Sequence, residues 1–92
     1  MNPEKTFIYV LKEPLCDSVR YVGKSNTPEK RLISHIKEAM KNKDTTHKIN
    51  WIRSLLKLNQ LPKLEIIDTV EYVEWKNAEK FYIAKYRAEG AH

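Results

Sequence analysis

Glu79 is the residue whose type fits its neighbourhood least. Read as helix, the last part of the chain places Trp75, Tyr82, Ile83 and Tyr86 within about 60° of Glu79 at ~100° per residue. A carboxylate is therefore centred in an apolar face. Burying it unpaired is costly, so it must be neutralised, paired with a cation or bound to a metal; a salt bridge or a partly exposed rim position would satisfy the pattern equally. Arg31 and His35 stand four apart on a second helical stretch and share one ridge beside its apolar stripe. Lining a cleft, an arginine fork grips phosphate and a histidine relays a proton; otherwise the two are plain surface residues. Tyr9 and Tyr21 lie mid-strand, where tyrosine ordinarily packs. Gly23 precedes Lys24, Ser25 and Asn26 and suits either a turn or close backbone approach by a ligand. Each signal is weak alone. Together they are the parts of a metal-assisted phosphodiester cleavage site. His47 and His92 have no such company.

Positioning these groups takes a sheet and three helices. Residues 6–12 are rich in β-formers and end at Glu13 and Pro14, and residues 18–24 alternate with Val19, Tyr21 and Gly23 on one face. Two antiparallel strands follow. Asn26 or Thr27 then caps a helix with Pro28 at its first position, running to about residue 43 with Leu32, Ile36, Ala39 and Met40 as its apolar stripe. A second helix over about 46–59 buries Ile49, Ile52, Leu55 and Leu56, and Pro62 follows its end. Trp51, about 160° from Ile49, and Leu58 lie off that stripe. They point to a second packing surface, with a base or partner protein as the alternative. Residues 63–71 form a β-branched third strand and 73–89 a last helix. The order β-β-α-α-β-α predicts an α+β fold: a small three-stranded antiparallel sheet flanked by helices.

At 92 residues the chain is expected to be one domain, residues 1–92. Seventeen Lys and Arg against 12 Asp and Glu give +5, and the pI is near 9.4. The surplus is segregated: residues 20–57 carry ten basic and three acidic groups, whereas each flank has one more acid than base. A single basic face of this kind suits an anionic partner, most often nucleic acid. The longest apolar run is 7–11, far below the ~18 residues of a membrane span, and the N-terminus lacks a signal-peptide pattern. A cytoplasmic protein without membrane contact is expected. One cysteine, Cys16, excludes an internal disulfide, and two glycines exclude a glycine-rich phosphate loop.

The run Phe7-Ile8-Tyr9 and the run Tyr21-Val22-Gly23, extended by Lys24 and Ser25 into YVGKS, are followed by Arg31, His35 and Glu79. In this order and on these elements they resemble the GIY-YIG nucleases, which include homing endonucleases, some restriction enzymes and the incision domain of UvrC. The resemblance covers essentially the whole chain. Phe7 stands where the family usually has glycine, and the asparagine often found about fifteen residues after the glutamate has no counterpart before His92.

The resemblance implies a DNA endonuclease using one divalent metal, Mg²⁺ or Mn²⁺, held by Glu79, in DNA repair or homing. Oxygen ligation with retained waters suits such a cation. It also implies Tyr9, acidified by neighbouring cations, as general base, Tyr21 orienting the water or phosphate, Arg31 on the phosphate and His35 relaying the proton from Tyr9. Gly23, Lys24, Lys30, Lys37, Lys48 and Arg53 are expected to contact the DNA backbone without sequence readout. Weak sequence preference is then expected, with a separate DNA-targeting domain to select the site, or a homodimer if both strands are cut. The competing expectation is a catalytically silent nucleic-acid-binding or protein-interaction module with the same fold.

Overall fold

A computed structural model describes residues 5–41 and 46–88. Strand β1 (Lys5–Lys12) lies between β2 (Val19–Ser25) and β3 (Lys63–Glu71), antiparallel to both. The helices are α1 (Pro28–Lys41), α2 (His47–Lys57) and α3 (Trp75–Ala88), the last entered through a single 3₁₀ turn, Tyr72–Glu74. The predicted order and fold class are those observed. β3 has the expected bounds, and the part of the final helix expected at Glu89 lies outside the described residues, as do residues 42–43 of the first.

Local chemistry sets the element ends. Thr27 accepts the first helical bond of α1, from Arg31 N at 3.0 Å, so of the two capping residues anticipated it is Thr27 that sits at the cap. Thr46 caps α2 through its hydroxyl, which accepts from Ile49 N. At the other end Asn59 takes φ 58°, and the amides of Asn59 and Gln60 bond the carbonyls of Leu56 and Leu55. This left-handed stop, with asparagine in the glycine role, ends the helix two residues earlier than expected.

The centre of the fold is β1, whose residues Ile8 to Leu11 are fully buried. Tyr9 and Leu11 join Ala39 of α1 and Ile49, Trp51, Ile52 and Leu55 of α2 in one cluster. Ile8 and Val10, at the alternate positions, are buried outside it, as period-two geometry requires. α1 and α2 pack on each other and are tied by Arg53, whose Nε donates to Ala39 O at 3.1 Å. α3 touches all three strands yet contains no buried residue.

Two helical stripes differ from expectation. Met40 is 70% exposed, whereas His35 is fully buried. The buried arc of α1 runs through His35, Ala39 and Leu32, and Met40 falls about 100° past Ala39. In α2 the arc is widened: Trp51 is buried in the core with the Arg20 guanidinium 5.6 Å above its ring, while Leu58 is exposed. Trp51 thus belongs to the same core as Ile49, Ile52 and Leu55, and the second packing surface expected of Trp51 and Leu58 is not formed among the described residues.

Candidate active site

β1 and β2 bring the two tyrosines together by register. Tyr9 faces Gly23 across the ladder, and the ring centroids of Tyr9 and Tyr21 are 6.1 Å apart. Gly23 makes this possible: a Cβ there would lie 2.8 Å from the Tyr9 ring, its hydroxyl and the Tyr21 ring. Gly23 is buried beneath those rings, so its task is steric and it offers no surface for the DNA contact expected of it.

α1 supplies the third and fourth groups. The Tyr9 hydroxyl lies 3.3 Å from His35 Nε2, and the His35 ring meets Tyr21 edge-on at 5.6 Å. His35 Nδ1 finds no hydrogen-bond partner of good geometry; its nearest charged neighbour is Glu38 Oε1 at 3.5 Å. With the ring proton on Nδ1, towards that carboxylate, Nε2 is left to accept from the Tyr9 hydroxyl. Burial, then the charges of Lys48 and Arg31, hold His35 below its ordinary value despite the opposing pull of Glu38. The imidazole is therefore neutral at pH 7 and can accept a proton. Glu38 was not singled out from sequence, although its i+3 spacing from His35 is the signal that finds it.

Burial pushes the Tyr9 phenol well above its ordinary value; Tyr21 adds to this, Arg31 opposes it, and Glu79 contributes a smaller upward push. The acidified phenol expected at this position is thus not present in the free protein. Tyr21 is also raised, by burial and by Glu79, against Arg31. The two phenols differ in access: Tyr9 is fully buried and Tyr21 half-buried. Arg31 is exposed at the start of α1, with its fork free to meet an anion.

Glu79 is half-buried on α3 rather than enclosed, because α3 only lies against the sheet. Its carboxyl is raised by burial, with Lys24 opposing, and it makes no hydrogen bond or ion pair among the described residues. Tyr9, Tyr21, Arg31, His35 and Glu79, from four different elements, thus act on one another electrostatically.

The cations expected on DNA are less uniform. Lys24 Nζ lies 4.5 Å from the Trp75 ring centroid and 5.6 Å from that of Tyr72, at the foot of α3. Lys48 sits 5.0 Å over the Tyr21 ring, beside the site. Lys30 and Lys37 project from α1 into solvent. Arg53 is engaged with Ala39 O and with Asn50 Oδ1 at 2.9 Å, a clamp between helices.

No group of three or more His, Cys, Asp or Glu side chains converges among the described residues. A self-contained protein cage for a metal is therefore not what this site offers. A lone carboxylate raised by burial, without a cationic partner in contact, does fit a hard divalent ion that keeps most of its waters.

Paired tyrosines on a small sheet are thus backed by a histidine and flanked by an arginine and a carboxylate. Residues 5–91 match the GIY-YIG catalytic domain; the chain belongs to that family, whose nucleases act on DNA. No curated protein and no solved structure matches the chain. Among the described residues no helix is long and apolar enough to cross a membrane.

Proposed function

We propose that the protein is a metal-dependent DNA endonuclease that hydrolyses one phosphodiester bond per catalytic cycle at this cluster. The observation that carries the proposal is the Tyr9–His35 hydrogen bond, in which a buried phenol faces a neutral imidazole within the fields of Arg31 and Glu79. Arg31, exposed and always charged, binds the scissile phosphate. Tyr21, the half-buried phenol, orients the attacking water. The water oxygen forms a bond to phosphorus as one P–O ester bond breaks, and the water's proton passes to Tyr9 while Tyr9 gives its own to His35 Nε2. Because Tyr9 is sealed in the free protein, it reaches that water through the Tyr21 hydroxyl or after a small displacement of Tyr21 on substrate binding.

Glu79 would hold a divalent cation, Mg²⁺ or Mn²⁺, which when bound supplies Lewis-acid stabilisation of charge on phosphate and leaving oxygen. Lys30, Lys37 and Lys48 guide the backbone towards the cluster. Incubation with supercoiled plasmid tests the proposal: nicking in Mg²⁺, none in EDTA, and none with Glu79→Ala although that variant still retards DNA. Undiminished Mg²⁺-dependent nicking by Glu79→Ala would remove Glu79 from the mechanism, and retention of DNA without strand breaks under all conditions would leave a binding module.

A further inference from the structure

The outer side of β2, the start of α2 and the last turns of α3 enclose a groove of about 340 Å³. Tyr21, Ile83 and Tyr86 form its walls, and Arg20, Lys48 and Arg87 its rim; no carboxylate is among its lining residues. Of these the proposed hydrolysis uses Tyr21, with Lys48 guiding the DNA backbone, and gives Ile83, Tyr86, Arg20 and Arg87 no task. Two observations join the groove to the cluster. Tyr21 is common to both, and Ile83 and Tyr86 follow Glu79 by one and two turns on the same face of α3. The groove therefore begins where the scissile phosphate would sit.

Two of its three cations are held in place before any ligand arrives. Lys48 lies over Tyr21, and Arg20 is bonded to Glu13 Oε2 at 3.2 Å while resting over Trp51. Apolar walls with two tyrosine rings suit a planar heterocycle, and a rim of Lys48, Arg87 and the Glu13-paired Arg20 suits the phosphates on either side of it. A base paired within a duplex presents only its edges, and extruding it costs a few kcal/mol; an unpaired base enters without that cost.

We propose that this groove takes one unpaired nucleobase of the strand being cut, so that DNA with an unpaired nucleotide beside the scissile phosphate is preferred over continuous duplex. This rests on the nuclease reading of the adjoining cluster. The test compares a continuous duplex with the same duplex carrying a single-nucleotide bulge, the bulged base being 2-aminopurine. In EDTA, binding should change the emission of the bulged base, and the change should vanish with Tyr86→Ala and persist with Tyr86→Phe. In Mg²⁺ the bulged duplex should be cut at least about tenfold faster by kcat/KM, a difference that Tyr86→Ala erases by slowing only the bulged substrate. Should Tyr86→Ala lose the fold, Tyr86→Leu, which keeps an apolar side chain and removes only the ring, provides the same comparison. Equal cleavage of both duplexes, or an emission change indifferent to Tyr86, overturns the groove assignment and leaves the nuclease intact. An emission change that tracks Tyr86 without cleavage of either duplex upholds the groove and removes the nuclease reading.

Discussion

The proton on Tyr9 governs what the cluster can do at a given pH. Burial raises that phenol, so its base form is scarce near neutrality. Because Tyr9 passes its proton on to a neutral His35, the single-turnover cleavage rate should be level between about pH 7 and about pH 9 and decline on the acid side as His35 is protonated. A rate that climbs steadily over that span would instead make the Tyr9 phenolate the base and exclude the relay. His35 shows the opposite displacement and touches stability. Its folded value is lowered, chiefly by burial and by Lys48 and Arg31, with Glu38 opposing. The unfolded chain therefore binds this proton more readily than the folded one. The contribution of His35 to stability is complete above the free histidine value of about 6.5 and declines as pH falls through the folded value. Urea midpoints measured down the acid side should fall in the native protein and fall less in His35→Gln. Glu38→Gln should lower the His35 titration further, as followed by NMR of its ring protons.

At the scale of elements, the hairpin of β1 and β2 depends on Gly23 lacking a side chain. Gly23→Ala forces the Tyr9 and Tyr21 rings aside and should cost about 1–3 kcal/mol by urea unfolding. It should also slow cleavage, since the displaced ring is the one bonded to His35. The strands and helices themselves were legible in the sequence because their period, caps and breakers agree: Pro28, Thr46 and Pro62 each mark an end. The content of the helix faces was less so. A histidine counts as polar on a helical wheel, so the arc of α1 is drawn through Met40 when the fold runs it through His35. Trp51 was legible as a packing residue but not as part of the main core, and its cover, the Arg20 guanidinium, comes from another element.

Seen whole, the molecule sets Lys48 and Arg31 beside the tyrosine cluster, with Lys30 and Lys37 exposed on the same helix as Arg31. Association with duplex DNA should weaken steeply with salt, and Lys30→Ala and Lys37→Ala should each reduce the slope of log K against log salt by about 1. Unchanged slopes would show that the exposed side of α1 does not face the DNA. The five candidate positions could be singled out from residue type, spacing and motif order, Arg31 and His35 both lying on α1. The contacts among them could not, because Tyr9 opposite Gly23, and His35 behind Tyr9, follow from cross-strand register and helix docking.

The central strand has a consequence for the making of the protein. β1, the earliest strand in the chain, needs β3 as its second neighbour, with Lys5 opposite Glu71, and the cluster is completed only by Glu79 on the last helix. A ribosome-bound chain lacking those later residues has its tyrosines, arginine and histidine but neither the full sheet nor the carboxylate. On the roles proposed for these residues, order of synthesis would act as a safeguard: a fragment released before β3 and α3 should cut no DNA.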